Sequence, residues 1–301
     1  MRLRIGTRAS PLAQAQAAWT EALLCKRQPG LEIERVLIRT SGDAFSAAWA
    51  QGLPAPAQSP DANIKALFVK EIEEALLSGK IDLAVHSCKD LPGESPEGLV
   101  IFHPEREDPR DSFIPGESPS WAALPRGAVI GTASPRRQAQ LLMARPDLRF
   151  SPVRGNVGTR LRKLRENGLN GLVLAEAGLR RLGLKELRRE PLPLEVLTPA
   201  PGQGALALQT RAGHLELVRL LESVQDERTA REVFLERAFL QVMGGGCSMP
   251  LGAYAQEREG KLHLRVFWSS RKEPARFLEG SCGLLSQDAQ RLVSELAQQL
   301  K

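Results

Sequence analysis

Tyrosine occurs once in this chain, tryptophan four times and phenylalanine nine times, so aromatic side chains make up only 5% of the 301 residues. So few flat rings leave little on which bases could stack, which argues against nucleic acid as the partner. The net charge of +6, from 41 Lys and Arg against 35 acids, does not reverse this, because the basic residues are spread over the whole chain. The four cysteines, Cys25, Cys88, Cys247 and Cys282, form no CxxC pair and no metal-ligand spacing, so neither a metal nor a disulfide framework is expected. No apolar run approaches the roughly 20 residues of a membrane span. The opening MRLRIGTRAS passes into a strand-like stretch with no signal-peptide core. The expectation is a soluble cytoplasmic protein with no membrane partner.

What is present is a repeat. IGTRASPLAQAQ (Ile5 to Gln16) and IGTASPRRQAQ (Ile130 to Gln140) share Gly-Thr, Ser-Pro and Gln-Ala-Gln, with Ser10 and Ser134 placed 124 residues apart. In each copy a strand-like stretch leads into a helix-like one. Ser10 and Ser134 suit the N-cap, where a hydroxyl accepts a bond from an unpaired helical N–H. Pro11 and Pro135 suit the first turn, where a missing N–H costs nothing. Free amides and the positive end of the helix dipole then make an anion site. Arg8 flanks the first copy, Arg136 and Arg137 the second. Two related α/β domains facing a shared acidic ligand are implied.

A length of 301 residues and a hydrophobic share of 42% allow two or three domains with real cores. Arg2 to Thr7 is expected as a strand, followed by a helix with Leu12, Trp19 and Leu23 on one face. Leu31 to Arg39 is expected as a second strand, and a helix from about Leu67 to Leu77 precedes the buried-looking strand IDLAVHS. Between them, Ala44 to Asn63 is rich in Ala, Pro, Gly and Ser and is either a lid or disordered. The second unit begins near Phe102 and continues through Ala128 to Thr132, a helix to about Ala144, and Gly171 to Ala175. The Pro-rich stretch from Glu190 to Gly204 is expected to cross back to the first domain. From about Leu221 come a helix (ERTAREVFLERAFLQVM), strands at Leu251 to Gln256, Lys261 to Trp268 and Ala275 to Cys282, and a closing helix. That order suits a small α+β domain with an antiparallel sheet.

Three segments carry side chains suited to chemistry. In VRGNVGTRLRKLRENG, Arg154, Arg160 and Lys163 bracket a Gly-Asn turn before a helix, and arginine offers two-pronged recognition of carboxylate or phosphate. A solvated helix face explains Arg162 and Arg165 better; for Arg154 and Arg160 both readings stand. In DLAVHSCKDLP, His86, Ser87, Lys89 and Asp90 leave the end of an apolar strand, where ligands of doubly wound sheets bind. Asp90 is a candidate acid/base, against the ordinary reading of a salt-bridged loop aspartate. In GGGCSMP, three glycines permit close approach to Cys247, whose thiolate could hold a covalent group, although a lone cysteine is more often inert core. Cys88 is an alternative nucleophile.

These fragments, with RTSGD, REDPRDSF, LAEAGLRRLGL, PAPGQGALAL and ERAFL, follow one another in an order that resembles the porphobilinogen deaminase (hydroxymethylbilane synthase) family over roughly residues 2 to 256. The resemblance implies two doubly wound α/β domains related to two-lobed periplasmic binding proteins, plus the C-terminal α+β domain. On that pattern the domains are 1–101 with 200–220, 102–199, and 221–301. It implies a transferase that joins four porphobilinogen molecules on a dipyrromethane cofactor, held by a thioether to Cys247. It implies Asp90 as the catalytic acid and base. Lys89, Ser87, Asp43, Thr132, Ser134, Arg136, Arg137, Arg160 and Gly155 would hold the cofactor. Arg8, Ser10, Phe68, Lys65, Arg154 and Arg181 would bind substrate. A monomer is implied, and no metal. The alternative is a non-catalytic two-lobed protein that binds carboxylates.

The chain departs from the family pattern in places. Asn63, Ile64, Lys65 and Ala66 stand where the family has a Gly-Gly-Lys-Gly run, which would stiffen a hinge there. Asp61 stands where some members have a further lysine. Pro135 replaces a Leu, harmlessly at a first helical position. Asn170 replaces a frequent Asp.

Overall fold

The computed structural model describes residues 1–42, 69–244, 249–270 and 275–300. Along the chain, β1 (Arg2–Arg8) leads into α1 (Pro11–Arg27), β2 (Glu32–Ile38), α2 (Lys70–Leu77) and β3 (Leu83–Ser87). A 3-10 turn, Cys88–Asp90, follows, then β4 (Leu99–Phe102), β5 (Asp111–Pro115), β6 (Val129–Gly131), α3 (Pro135–Ala144) and β7 (Arg149–Ser151). Next come α4 (Val157–Glu166), β8 (Gly171–Ala175), α5 (Glu176–Arg181), β9 (Glu190–Pro191), β10 (Leu206–Arg211) and α6 (Leu215–Glu222). The last elements are α7 (Glu227–Val242), β11 (Leu251–Arg258), β12 (Lys261–Trp268), β13 (Arg276–Cys282) and α8 (Ser286–Leu300).

The repeat in the sequence is a repeat of wiring. The first sheet has the order β2-β1-β3-β10-β4 and the second β7-β6-β8-β5-β9. In each, the first three strands are parallel and the fourth is antiparallel to both neighbours. The central strands β3 and β8 are apolar runs buried on both faces, as a parallel sheet covered by helices requires. The stretch from Glu190 to Gly204 delivers the chain to β10, the antiparallel strand of the first sheet. The third sheet, β11-β12-β13, is antiparallel. Leu251, Ala253 and Ala255 of β11 and Leu262, Leu264 and Val266 of β12 alternate inward, packing in one core with Leu235 and Phe239 of α7 and with Leu292 and Leu296 of α8. The fold is therefore the expected α/β architecture with a C-terminal antiparallel sheet.

The chain divides into two compact units, Met1–Glu107 with Ala205–Ala230, and Asp108–Gly204 with Arg231–Lys301. Phe102, expected near the start of the second α/β unit, ends β4, which pairs with β10 in the first sheet. Within the second unit, the third sheet docks on the segment before β10. The Ala253 N–H donates to the Pro199 carbonyl at 3.0 Å, and the Arg265 Nε donates to the Thr198 hydroxyl at 3.2 Å. Glu236 of α7, fully buried, accepts the Gly202 N–H at 2.6 Å and the Ala255 N–H at 2.8 Å.

One expected face is wrong. On α1 the buried residues are Ala13, Gln16, Ala17, Thr20 and Leu24, whereas Trp19 is 41% exposed. The polar members of that face are satisfied, since the Thr20 hydroxyl donates to the Gln16 carbonyl at 3.0 Å. Asn170 holds the start of β6 in place. Its Oδ1 accepts the Val129 N–H at 2.8 Å, a bond that an aspartate oxygen would also accept. Among the described residues, no helix is long and apolar enough to cross a membrane.

Candidate active site

In open α/β sheets, functional groups gather beyond the carboxyl ends of the parallel strands. At those ends both units begin a helix on the same pattern. Ser10 caps α1, accepting the Ala13 N–H at 3.3 Å, and Ser134 caps α3, accepting the Arg137 N–H at 3.4 Å, each followed by proline in the first turn. Four residues after each cap, Gln14 and Gln138 donate back to the carbonyls of Ala9 at 2.8 Å and Thr132 at 2.9 Å. Six residues after each cap, a glutamine ties the helix to another segment. Gln16 Nε2 donates to the Ser87 hydroxyl at 2.8 Å; Gln140 accepts the Thr198 N–H at 2.7 Å and donates to its carbonyl at 3.0 Å. The shared QAQ thus encodes two clamps per helix.

In the first unit, β3 ends in the 3-10 turn that carries Lys89 and Asp90, both half-buried. The turn is pinned from behind, because the Cys88 N–H donates to the Ala205 carbonyl at 3.0 Å. Cys88 itself is 1% exposed, in the core, a poor position for a nucleophile. The Ser87 hydroxyl, expected to hold a cofactor, is bonded to Gln16. Arg8, at the end of β1, is half-buried. His86, one residue before Ser87, is buried, and its Nε2 lies 3.1 Å from Gln209 Oε1. Burial pushes its pKa down to about 4, with Gln209 and Asp90 opposing and Arg8 assisting.

In the second unit, Arg136 and Arg137 turn inward. Each is 6% exposed, and both engage Asp111, itself 0% exposed. Arg136 Nη2 meets one oxygen at 2.8 Å; Arg137 Nε and Nη2 meet the other at 3.1 and 2.7 Å. Arg136 also donates to the Thr198 carbonyl at 2.6 Å and Arg137 to the Val173 carbonyl at 2.8 Å, while Gln203 donates to Asp111 at 3.1 Å. Two guanidinium groups against one carboxylate leave a surplus positive charge at the start of α3, where the helix dipole adds to it. Thr132 is buried, and its hydroxyl accepts the Ser134 N–H at 3.2 Å. Asp111, within REDPRDSF, was not singled out from the sequence; its place at the start of the apolar strand β5 was the available signal.

The loop after β7 carries Arg154, Gly155 and Asn156. Gly155 has φ +111° and an added Cβ would meet Thr159 Cγ2 at 2.8 Å, so glycine is required there. Its carbonyl accepts Arg160 Nε at 2.7 Å, and Asn156 caps α4 by accepting the Thr159 N–H at 2.8 Å. Arg154 is exposed. Arg181, at the end of α5, donates to the Gly204 carbonyl at 2.7 Å. Asp43, Lys65, Phe68 and Cys247, with the Ala44 to Asn63 stretch, lie outside the described residues. The cations and capped helix starts in each unit are donors, a set that suits a ligand bearing several carboxylates. Among the described residues, no group of three or more His, Cys, Asp or Glu is placed to hold a metal ion.

Residues 3–219 match the family described as porphobilinogen deaminase, dipyromethane cofactor binding domain, and residues 230–301 match porphobilinogen deaminase, C-terminal domain. A porphobilinogen deaminase of Syntrophus aciditrophicus is 45% identical over 301 residues, covering 99% of this chain and 94% of its own. Another, of Geobacter sulfurreducens, is 48% identical over 270 residues, covering 89% of this chain and 82% of its own. Among solved structures, the Bordetella pertussis BvgS periplasmic VFT2 domain superposes with a TM-score of 0.41 at 15% identity, covering 74% of this chain and 86% of that one. The sheet order described above, not this loose likeness, carries the fold assignment.

Proposed function

The chain belongs to the porphobilinogen deaminase family, and from that premise we propose how its own residues carry the reaction. The enzyme is a transferase of tetrapyrrole biosynthesis. It joins four porphobilinogen molecules head to tail, releases ammonia at each step and gives hydroxymethylbilane. It carries the family's dipyrromethane cofactor-binding domain. When bound, that cofactor supplies the pyrrole carbon to which substrate is added. A non-catalytic two-lobed binding protein is not favoured, since it would have no need of the C-terminal family domain matched at residues 230–301.

Each porphobilinogen brings an acetate and a propionate, so its binding calls for fixed cations and amides. We assign Arg8, Ser10, Arg154 and Arg181, with Lys65 and Phe68, to the substrate. Lys89, Ser87, Asp43, Thr132, Ser134, Arg136, Arg137, Gly155 and Arg160 are assigned to the cofactor, and Cys247 to its thioether. For Arg136 and Arg137 the surplus charge over Asp111 supports the assignment. The N–H groups not already given to Asp111, Thr198 and Val173 would do the binding.

Asp90 is the acid and base. It donates a proton to the leaving amine, faces the methylene-pyrrole cation left on the substrate, and accepts the proton released as the new bond forms. The observation that supports this role is its turn, held just beyond the carboxyl end of β3 by the Cys88–Ala205 backbone bond. Asp90→Asn is expected to lower the rate of ammonia release by at least ~100-fold, the usual reach of a general acid–base. Near-normal turnover would overturn the assignment.

We also propose the three-domain division 1–101 with 200–220, 102–199 and 221–301, which the three separate sheets support. The protein is proposed to be a cytoplasmic monomer with no membrane or nucleic-acid partner, supported by the scattered basic residues and the family likeness.

A further inference from the structure

Behind Asp90, in the first unit, runs a buried polar chain that the reaction as described does not use. Glu73 of α2, Gln209 of β10 and His86 of β3 are 8%, 0% and 6% exposed. Gln209 and His86 share one face of the sheet, because Gln209 pairs with Ala84 and His86 with Ala207 across the antiparallel ladder. The two alanines leave room for the longer side chains beside them. Gln209 Nε2 donates to Glu73 Oε1 at 2.9 Å, and Gln209 Oε1 lies 3.1 Å from His86 Nε2.

The direction of the chain follows from what each group can do. Burial raises the Glu73 pKa and donation from Gln209 opposes that rise; in its ionised form the carboxylate only accepts, which sets the Gln209 NH2 toward Glu73. Its carbonyl oxygen is then left for His86, and a carbonyl requires a donor, so His86 carries its proton on Nε2 and presents Nδ1 as an acceptor. His103 of the same unit is fixed the other way, with Nδ1 at 2.7 Å from the Leu206 carbonyl. The charged groups felt by His86 are Asp90 in the 3-10 turn and Arg8 at the end of β1, with Glu73 reached through Gln209. A polar chain in a sheet–helix interface stabilises less than apolar packing would, and what it adds is a fixed arrangement.

We propose that Glu73 and Gln209 form a positioning relay that fixes the His86 tautomer, Nε2 as donor and Nδ1 as acceptor, on a ring that its buried site leaves uncharged, so that it adds no positive charge beside Asp90. The inference rests on the reading of Asp90 as the acid and base. An imidazolium at this place would hold the Asp90 carboxylate in its ionised form and withhold the proton that the leaving amine needs.

The test uses the holoenzyme labelled with 15N-histidine, its four histidines resolved by long-range 1H–15N correlation and His86 assigned with His86→Gln. The expected wild-type signature is an Nε2–H tautomer that does not titrate between pH 8 and about 5.5, with His103 showing the opposite tautomer. An Nδ1–H tautomer, or titration near the ordinary histidine value, would overturn the proposal without any variant. Gln209→Glu puts a carboxylate against the ring. It should bring His86 into the titrating range and move the alkaline limb of kcat to lower pH by about 1 unit, with KM for porphobilinogen little changed. If His86 becomes charged in that variant while the profile stays in place, the relay has no role in the chemistry. If instead Asp90→Asn turns over normally, the Asp90 assignment falls while the histidine signature still reports on the relay.

Discussion

Replacing Asp111 by alanine removes the carboxylate on which two buried guanidinium groups converge. The side chain is fully buried and accepts from Arg136, from Arg137 twice, and from Gln203, at 2.7 to 3.1 Å. Without it, Arg136 and Arg137 keep only single carbonyl partners at Thr198 and Val173, and their charges repel across the gap. Breaking a buried ion pair from one side costs about 3–5 kcal/mol, mostly the desolvation of the charge left behind. At about 1.4 kcal/mol per factor of ten, local opening becomes about 10² to 4 × 10³ times more frequent. Native-state hydrogen exchange reads this directly. Amides of β5, α3 and β8 should lose protection by that factor, while β3 and β10 of the other unit keep theirs. Asp111→Asn, which retains one acceptor oxygen, should fall between. Unchanged exchange in α3 and β5 of the alanine variant would refute the view that this carboxylate holds the cluster together.

Stability should also depend on His86 and pH. Its folded pKa of about 4 lies below the ordinary value of 6.5, so the unfolded chain binds more protons between those limits. Stability is complete above pH 6.5 and is lost as pH falls toward 4, by about 3 kcal/mol in total. His86→Gln should show a shallower loss of denaturation midpoint over that window, and an identical slope would count against the burial argument. Leu24→Ala on the buried face of α1 is expected to cost about 2–5 kcal/mol, and Trp19→Lys on its exposed face within about 0.5 kcal/mol. The reverse ranking in chemical denaturation would restore the face expected from bulk alone. Gly155→Ala forces a side chain into a left-handed backbone against Thr159 and should cost about 1–3 kcal/mol; a thermal midpoint equal to wild type would show that the loop relaxes freely.

Local signals carried far in this chain. Gly171 to Ala175 and Lys261 to Trp268 form the expected strands, the first a buried apolar run and the second a largely alternating one. The Ser-Pro pairs became capped helix starts because hydroxyl and ring act within one turn. The face of α1 was misjudged because the expectation weighed bulk, whereas the buried residues are Ala13, Gln16, Ala17, Thr20 and Leu24. Asp111 was hidden because its arginine partners lie 25 and 26 residues away. The Glu73–Gln209–His86 chain was hidden more deeply, since its bonds join residues 136 and 123 positions apart. Such pairs become neighbours only when the strand order is known.

The central claim is a polymerising enzyme whose cofactor is held at Cys247, and intact mass tests it most directly. Purified wild-type protein should weigh more than its sequence by two linked pyrrole units, and Cys247→Ser should lack that excess. If the wild type shows no such excess even after incubation with porphobilinogen, or if the serine variant carries it too, the account is contradicted.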